Sequence, residues 1–287
     1  MKEVVIISGK GGTGKTSITA SLAVLLDNKV IADCDVDAPD LHLILHPKIK
    51  EKFEFRGGKR AVHDHTKCIS CNLCYEKCRY DAILPGDYSV DPYKCEGCGV
   101  CAVVCPVGAM TMIENLSGYS YISETDYGPM VHARLNIAEE NSGKLVTTVR
   151  NLAKKIAREQ GIETIIIDGP PGIGCPVTSA LTGTDLAVIV TEPTKSGIHD
   201  LERVLKVVEH FRVRGFVVIN RADLNPQLTE EIKEYCRERR LKVISEIPFD
   251  PTVTQALVNG KSVVEFATKE NAVVREILKI AEMISKA

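Results

Sequence analysis

Residues 3–18 read EVVIISGKGGTGKTSI, and the order of features in this stretch decides the fold. The β-branched run EVVIIS at 3–8 stops at glycines and reads as a short buried strand. Beyond the glycines, Ile18, Leu22, Leu25 and Leu26 recur at helical spacing across 15–27. Gly9, Gly14, Lys15 and Thr16 satisfy G-x4-G-K-[ST] between a strand and a helix, the context that gives this motif its chemistry. Backbone N–H groups of Gly9, Lys10, Gly11, Gly12, Thr13 and Gly14 form an anion nest in such a loop. The helix that follows adds the positive end of its dipole. Lys15 is expected between the β- and γ-phosphates of a nucleotide, and Thr16 on Mg2+, with Ser17 completing the first helical turn.

The same alternation continues outward. Residues 29–34 (KVIADC) read as a second strand, ending in Asp33 and followed by Asp35. Further apolar runs lie at 163–167, 185–191, 214–219 and 241–247, separated by helical periodicity near 144–160, 196–212 and 227–239. A last helix is expected near 270–285. Near-continuous apolar strands alternating with helices imply an α/β domain whose mostly parallel sheet is covered on both faces. Ligands then bind at the carboxyl ends of the strands. The stretches rich in chemistry (9–16, 33–37, 168–175 and 220–223) all follow strands. TIIIDGPPG ends a strand at Asp168, the place of a Walker B carboxylate, and Pro170, Pro171 and Gly172 suit a switch that senses the γ-phosphate. Asp37 and Asp40 read as loop or capping residues.

Between about 57 and 112 the apolar period fades, and cysteine, glycine and turn residues replace it. Eight of the eleven cysteines form two copies of one spacing. They are Cys68-x2-Cys71-x2-Cys74-x3-Cys78 and Cys95-x2-Cys98-x2-Cys101-x3-Cys105, offset by 27 residues (68 to 95). Three thiolates at x2 intervals can wrap one corner of an iron–sulfur cube, and the fourth, a helical turn on, can serve a second cube. Four-cysteine zinc sites also use x2 spacing and stay open as the rival. We read 57–112 as an inserted small α+β domain, and 1–56 with 113–287 as one discontinuous α/β domain. The insert is too poor in apolar residues for a core of its own, so metal would supply much of its cohesion. Residues 113–143 show no clear period.

The bulk properties narrow the setting. Basic and acidic residues nearly balance, 36 against 38, which gives no cause to expect nucleic acid or an anionic membrane as partner. Because MKEVVIISGK runs straight into the loop, no leader is expected. On that expectation eleven cysteines point to metal ligation in a reducing cytoplasm rather than to disulfides. Apolar runs reach about seven residues, far below the ~20 that span a bilayer. Cys34 and Cys236 read as core thiols. His63 and His65 read as surface of the insert.

The form K-G-G-x-G-K-T, from Lys10 to Thr16, resembles the deviant Walker A loop of the MinD/ParA/nitrogenase-iron-protein class of P-loop ATPases. The resemblance implies Mg2+-dependent ATP hydrolysis in a nucleotide-sandwich homodimer, with Lys10 reaching the partner's nucleotide. It implies that Asp35 orients the attacking water and that Asp33 holds Mg2+ through water, beside catalytic roles for Lys15 and Asp168. It also implies that Asn220 reads adenine with Asp250 nearby. The cysteine runs continue as CRYDAI (78–83) and CPVGAM (105–110) and resemble a bacterial-type two-cluster ferredoxin. On that resemblance one [4Fe-4S] cluster takes Cys68, Cys71, Cys74 and Cys105, and the other takes Cys95, Cys98, Cys101 and Cys78. Pro106 follows the last cysteine of the second run, but Arg79 stands in the first, so the two potentials are expected to differ, with a cation near the second cluster.

Taken whole, the chain resembles MinD-superfamily ATPases that carry an inserted ferredoxin domain. Two functions are then expected to compete. In one, ATP gates electron transfer to a redox partner protein. In the other, an Mrp-type carrier passes iron–sulfur clusters, or another metal cofactor, to an acceptor protein. Cys175, in PPGIGCPV, would be a bridging ligand at the dimer axis in the second reading. The apolar face of the last helix (Val273, Val274, Ile277, Leu278, Ala281, Ile284) suits packing on the sheet rather than stable membrane association.

Overall fold

Lys2–Ser8 forms strand β1, and Val4, Val5, Ile6 and Ile7 have no exposed surface. Burial of successive residues requires cover on both faces, because neighbours on a strand point to opposite sides. The other strands are β2 Lys29–Asp33, β3 Lys48–Phe55, β4 Gly58–His63, β5 Met110–Asn115, β6 Gly118–Thr125 and β7 Gly128–Leu135. They continue as β8 Thr164–Pro171, β9 Leu186–Thr191, β10 Arg214–Asn220 and β11 Lys242–Ile247. The computed structural model describes residues 1–136 and 142–287. Residues 137–141, part of the stretch without a period, lie outside the described residues.

Nine strands make one sheet in the order β11-β10-β9-β1-β8-β2-β7-β6-β3. The pairings from β11 through to β7 are parallel. Val4, Ile6, Val188, Val190 and Val218 meet the helices Lys15–Leu25 and Ala272–Lys286 on one face. Helices Ser142–Gln160 and Lys195–His210 pack against β2, β8, β9 and β10. In the last helix Val273, Val274, Ile277, Ala281 and Ile284 are buried in the core. Among the described residues no helix is long and apolar enough to cross a membrane.

The sheet also extends further than the sequence led us to expect. β6 and β7 are joined by Asp126 and Tyr127, and β3 closes the edge. The buried positions of β6 are Gly118, Ser120, Ser123 and Thr125, small or hydroxyl residues that carry no apolar period. In β3 seven of eight residues are exposed, and Lys48, Lys50 and Lys52 on this edge discourage pairing with a second chain.

The chain divides into two compact units. The larger comprises Met1–Phe53, Ser120–Arg134 and Ser142–Ala287; the smaller comprises Glu54–Tyr119 and a short stretch from Leu135. In the smaller unit the 27-residue offset extends from cysteine spacing to backbone. Helix Leu73–Lys77 is repeated as Val100–Val104. Left-handed residues recur in step: Ser70 with Gly97, Asn72 with Gly99, and Asp81 with Gly108. Antiparallel pairing of His63 with Met110 is matched by Ile83 with Val90. Gly97 has φ +65°, and a Cβ there would lie 2.1 Å from the Lys59 carbonyl oxygen, so only glycine fits the turn.

Candidate functional site

The loop after β1 delivers Lys15, only 5% exposed, at the first turn of its helix. Gly12 and Gly14 are left-handed, which turns successive N–H groups toward one concavity. Gly14 has φ +90°, and a Cβ would fall 2.4 Å from Asn220 Nδ2. That amide nitrogen instead donates to the Thr13 carbonyl at 2.8 Å, so the end of β10 buttresses the loop. On the far side, the Gly172 N–H donates to the Ser8 carbonyl at 2.9 Å, linking the DGPPG turn to the end of β1.

Two carboxylates face this loop. Asp33 and Asp168 are paired across β2 and β8 and are each 1% exposed. Asp168 accepts from the hydroxyls of Thr16 and Thr19, both at 2.8 Å. Asp33 accepts from the Asp35 N–H through Oδ1 at 3.2 Å, and its Oδ2 has no partner. Burial raises the pKa of both, and the charge of Asp168 raises Asp33 further; Lys15 opposes the shift of Asp168. Burial likewise pushes Asp35 up to about 6 against the pull of Lys15. An orphaned carboxylate oxygen, a second buried carboxylate and a threonine hydroxyl form a hard oxygen set that fits Mg2+.

This electrostatic strain has a measurable sign. Carboxylates with raised folded-state values stabilise the protein below about pH 4, their unfolded value. That contribution is lost as pH rises, for Asp35 through about 6. Without metal, Asp33→Asn is therefore expected to raise Tm at pH 7.5, by roughly 2–6 °C. It should also remove most of the extra stabilisation given by Mg-ADP. Thermal melts with and without Mg-ADP check both effects, and a lower metal-free Tm in the variant would contradict the reading.

Beside Gly14 and Ser17 opens a pocket with Asn220, Arg221, Phe249 and Asp250 in its wall. Its position next to the phosphate loop suits a base. Asp250 caps the helix Pro251–Val258 through the Thr252 N–H and accepts from Asn271 Nδ2, both at 2.8 Å, so both its oxygens are engaged. Lys10 does not point into its own loop. Its Nζ lies 3.1 Å from Ser196 Oγ, 3.4 Å from Thr194 Oγ1 and 3.7 Å from Glu192 Oε2. Thr19 and the 192–196 segment were not singled out from sequence. Thr19 follows Thr16 by a helical turn, and 192–196 follows the end of β9, so the carboxyl-end rule could have found the latter.

The thiols sort into two pockets of the smaller unit. One is lined by Cys68, Cys71, Cys74 and Cys105. The other is lined by Cys95, Cys98, Cys101 and Cys78. Each takes three cysteines from one run and the fourth from the other. The sulfurs line walls rather than meet at a point, and among the described residues no three His, Cys, Asp or Glu side chains converge on a single ion. Backbone N–H groups of Ser70, Ala109 and Ala61 donate to Cys68, Cys105 and Cys95 at 3.4, 3.2 and 3.5 Å. Burial raises the Cys105 thiol, but the N–H groups of Met110, Val107, Ala109 and Gly108 outweigh it and lower its pKa, favouring the thiolate that ligates metal. Left-handed turns with inward N–H groups are the backbone form of many iron–sulfur sites, so the residues present fit such clusters.

The structure corrects one expectation and qualifies another. His63 is half-buried rather than simply on the surface: both ring nitrogens are buried and the residue lines the first pocket, whereas His65 is exposed. Arg79 is exposed and lines neither pocket, so solvent screens the influence expected of it. Cys34 and Cys236 are fully buried. Cys175, exposed, begins the helix Cys175–Leu181. Asp37 and Asp40 are exposed loop residues.

A family profile described as the CobQ/CobB/MinD/ParA nucleotide binding domain matches residues 4–263. Uncharacterized protein MJ0578 of Methanocaldococcus jannaschii is 36% identical over 287 residues, covering 98% of this chain and 97% of its own length. Uncharacterized ATP-binding protein MJ0547 of the same organism is 23% identical, over 91% of this chain and 79% of its own. Among solved structures, the septum site-determining protein MinD complexed with Mg-ADP from Pyrococcus horikoshii superposes with a TM-score of 0.60 at 20% identity. The match covers 99% of this chain and 96% of that one and speaks for the fold alone. With a phosphate loop, a paired-aspartate pocket and a profile match over most of its length, the chain belongs to the CobQ/CobB/MinD/ParA nucleotide-binding family.

Proposed function

We propose that this protein is an ATP-hydrolysing iron–sulfur protein in which nucleotide-dependent switching of a homodimer gates electron transfer through two [4Fe-4S] clusters. The observation that carries the reading is the crossed sorting of eight thiols into two pockets, in a chain whose other unit holds a phosphate loop. Bound there, such clusters supply one-electron relay. Cys68, Cys71, Cys74 and Cys105 would hold one, and Cys95, Cys98, Cys101 and Cys78 the other.

The remaining chemistry belongs to side chains of the larger unit. Lys15 neutralises phosphate charge. Thr16 and Asp33 would hold Mg2+, with Asp168 fixed behind them by Thr16 and Thr19. Asp35, titrating near 6, is suited to orient a water and take its proton. Lys10, resting on Ser196 and Thr194, is free of its own loop and would act on the partner's nucleotide. The DGPPG turn, hydrogen-bonded to Ser8, is the element that would respond to the γ-phosphate.

Gating is tested by reducing the anaerobic protein and mixing it with a one-electron dye in stopped flow. Mg-ATP is expected to change the oxidation rate about tenfold relative to Mg-ADP, the effect of a coupling near 1.4 kcal/mol. Equal rates in both nucleotides would remove the gate. Loss of iron to an apo-ferredoxin on mixing would favour the carrier reading instead.

A further inference from the structure

We propose that His63 donates a hydrogen bond to the cluster held by Cys68, Cys71, Cys74 and Cys105, and thereby makes that cluster easier to reduce than its twin. This rests on the cluster reading above and deepens it. The His63 ring lines the first thiol pocket. Both its nitrogens are buried and neither has a protein partner. A neutral imidazole carries one N–H and a cationic one carries two, and burying such a donor unpaired is costly. Its ring neighbours do not resolve this: His65 and Tyr88 stand edge-on, with centroids at 4.4 and 5.9 Å. The acceptor is therefore to be sought in the pocket, and sulfur ligands and sulfides are what the cluster reading places there.

The repeat turns this into a difference between the two sites. The residue 27 positions after His63 is Val90. His63 pairs with Met110 and Val90 pairs with Ile83, so the two occupy equivalent places in the two halves. Val90 lines the second pocket and has no donor to offer. Both pockets receive backbone N–H groups, and only the first gains an imidazole. Donors to cluster sulfur withdraw charge and favour the reduced state.

The test is an EPR-monitored redox titration of anaerobic holoprotein, comparing wild type, His63→Val and Val90→His, with iron measured on each sample. In His63→Val one of two waves is expected to move, the reduced fraction of that cluster falling about tenfold at fixed potential (59 mV for one electron). The other wave stays, and Val90→His should move it in the opposite sense. Both waves unmoved within twofold, at unchanged iron content, would overturn the role of His63 and leave the clusters standing. Iron-free wild-type protein would instead remove the cluster reading and this inference with it. Should His63→Val shed iron, His63→Phe keeps a ring without a donor and is read the same way. Independently of any His63 variant, ring-15N histidine in a His65→Gln protein should show hyperfine coupling to one reduced cluster, and its absence would also overturn the proposal.

Discussion

Replacing Lys15 with alanine is expected to lower ATP turnover by about 10²- to 10³-fold, the usual cost of one preorganised charge-stabilising donor, and to weaken nucleotide binding with it. The side chain is almost fully buried at the start of its helix and is the cation that opposes the raised pKa values of Asp35 and Asp168. Its loss leaves three buried or half-buried carboxylates facing an anionic ligand without a resident positive charge. Lys10→Ala should behave differently. Its ammonium group rests on hydroxyls outside the loop, so nucleotide binding by the single chain is expected to survive while turnover falls. Turnover and fluorescent-nucleotide binding, measured on both variants, separate the two lysines. Equal loss of binding in both would show that Lys10 serves its own loop.

Replacing Cys101 with serine is expected to reduce iron from about eight to about four per chain and to unfold part of the smaller unit. Cys101 and Cys74 are buried in its core beside Ala61, Ile83, Tyr88 and Met110. That core is small, and Cys68, Cys78, Cys95 and Cys105 pack against it, so on the proposed cluster reading metal binding would be coupled to folding. Cys175→Ser is the control. Cys175 is exposed at the head of its helix, and iron should stay at about eight per chain. Iron analysis with near-ultraviolet circular dichroism reads both outcomes. Loss of iron in Cys175→Ser with full iron in Cys101→Ser would reverse the assignment.

The central parallel strands β1, β8, β9 and β10 were legible because they are buried on both faces and so read as unbroken apolar runs: they lie where EVVIIS, ETIII, DLAVIVT and RGFVVI indicate. The β7-β6-β3 edge was not legible. β6 buries serines and threonine, and β3 buries only Phe55, so hydrophobic periodicity had nothing to register. At the phosphate site the G-x4-G-K-T motif between a strand and a helix pointed to Lys15 and Thr16, and the end of an apolar run before DGPPG pointed to Asp168. Thr19 escaped notice because a threonine inside a helix is ordinarily just a neutral filler; its bond to Asp168 exists only after β8 lies beside that helix. The cysteine repeat was visible in the sequence, but its backbone symmetry depends on left-handed turns that residue types such as Ser70 do not announce, and the buried ring nitrogens of His63 appear only once the chain is folded.

Iron and acid-labile sulfide per chain, together with the visible spectrum of anaerobically purified protein, test the central claim most directly. The account predicts about eight of each and a broad absorbance shoulder near ~400 nm from sulfur-to-iron charge transfer, in protein that also hydrolyses Mg-ATP. Colourless, iron-free protein that is folded and turns over ATP at an undiminished rate would contradict it.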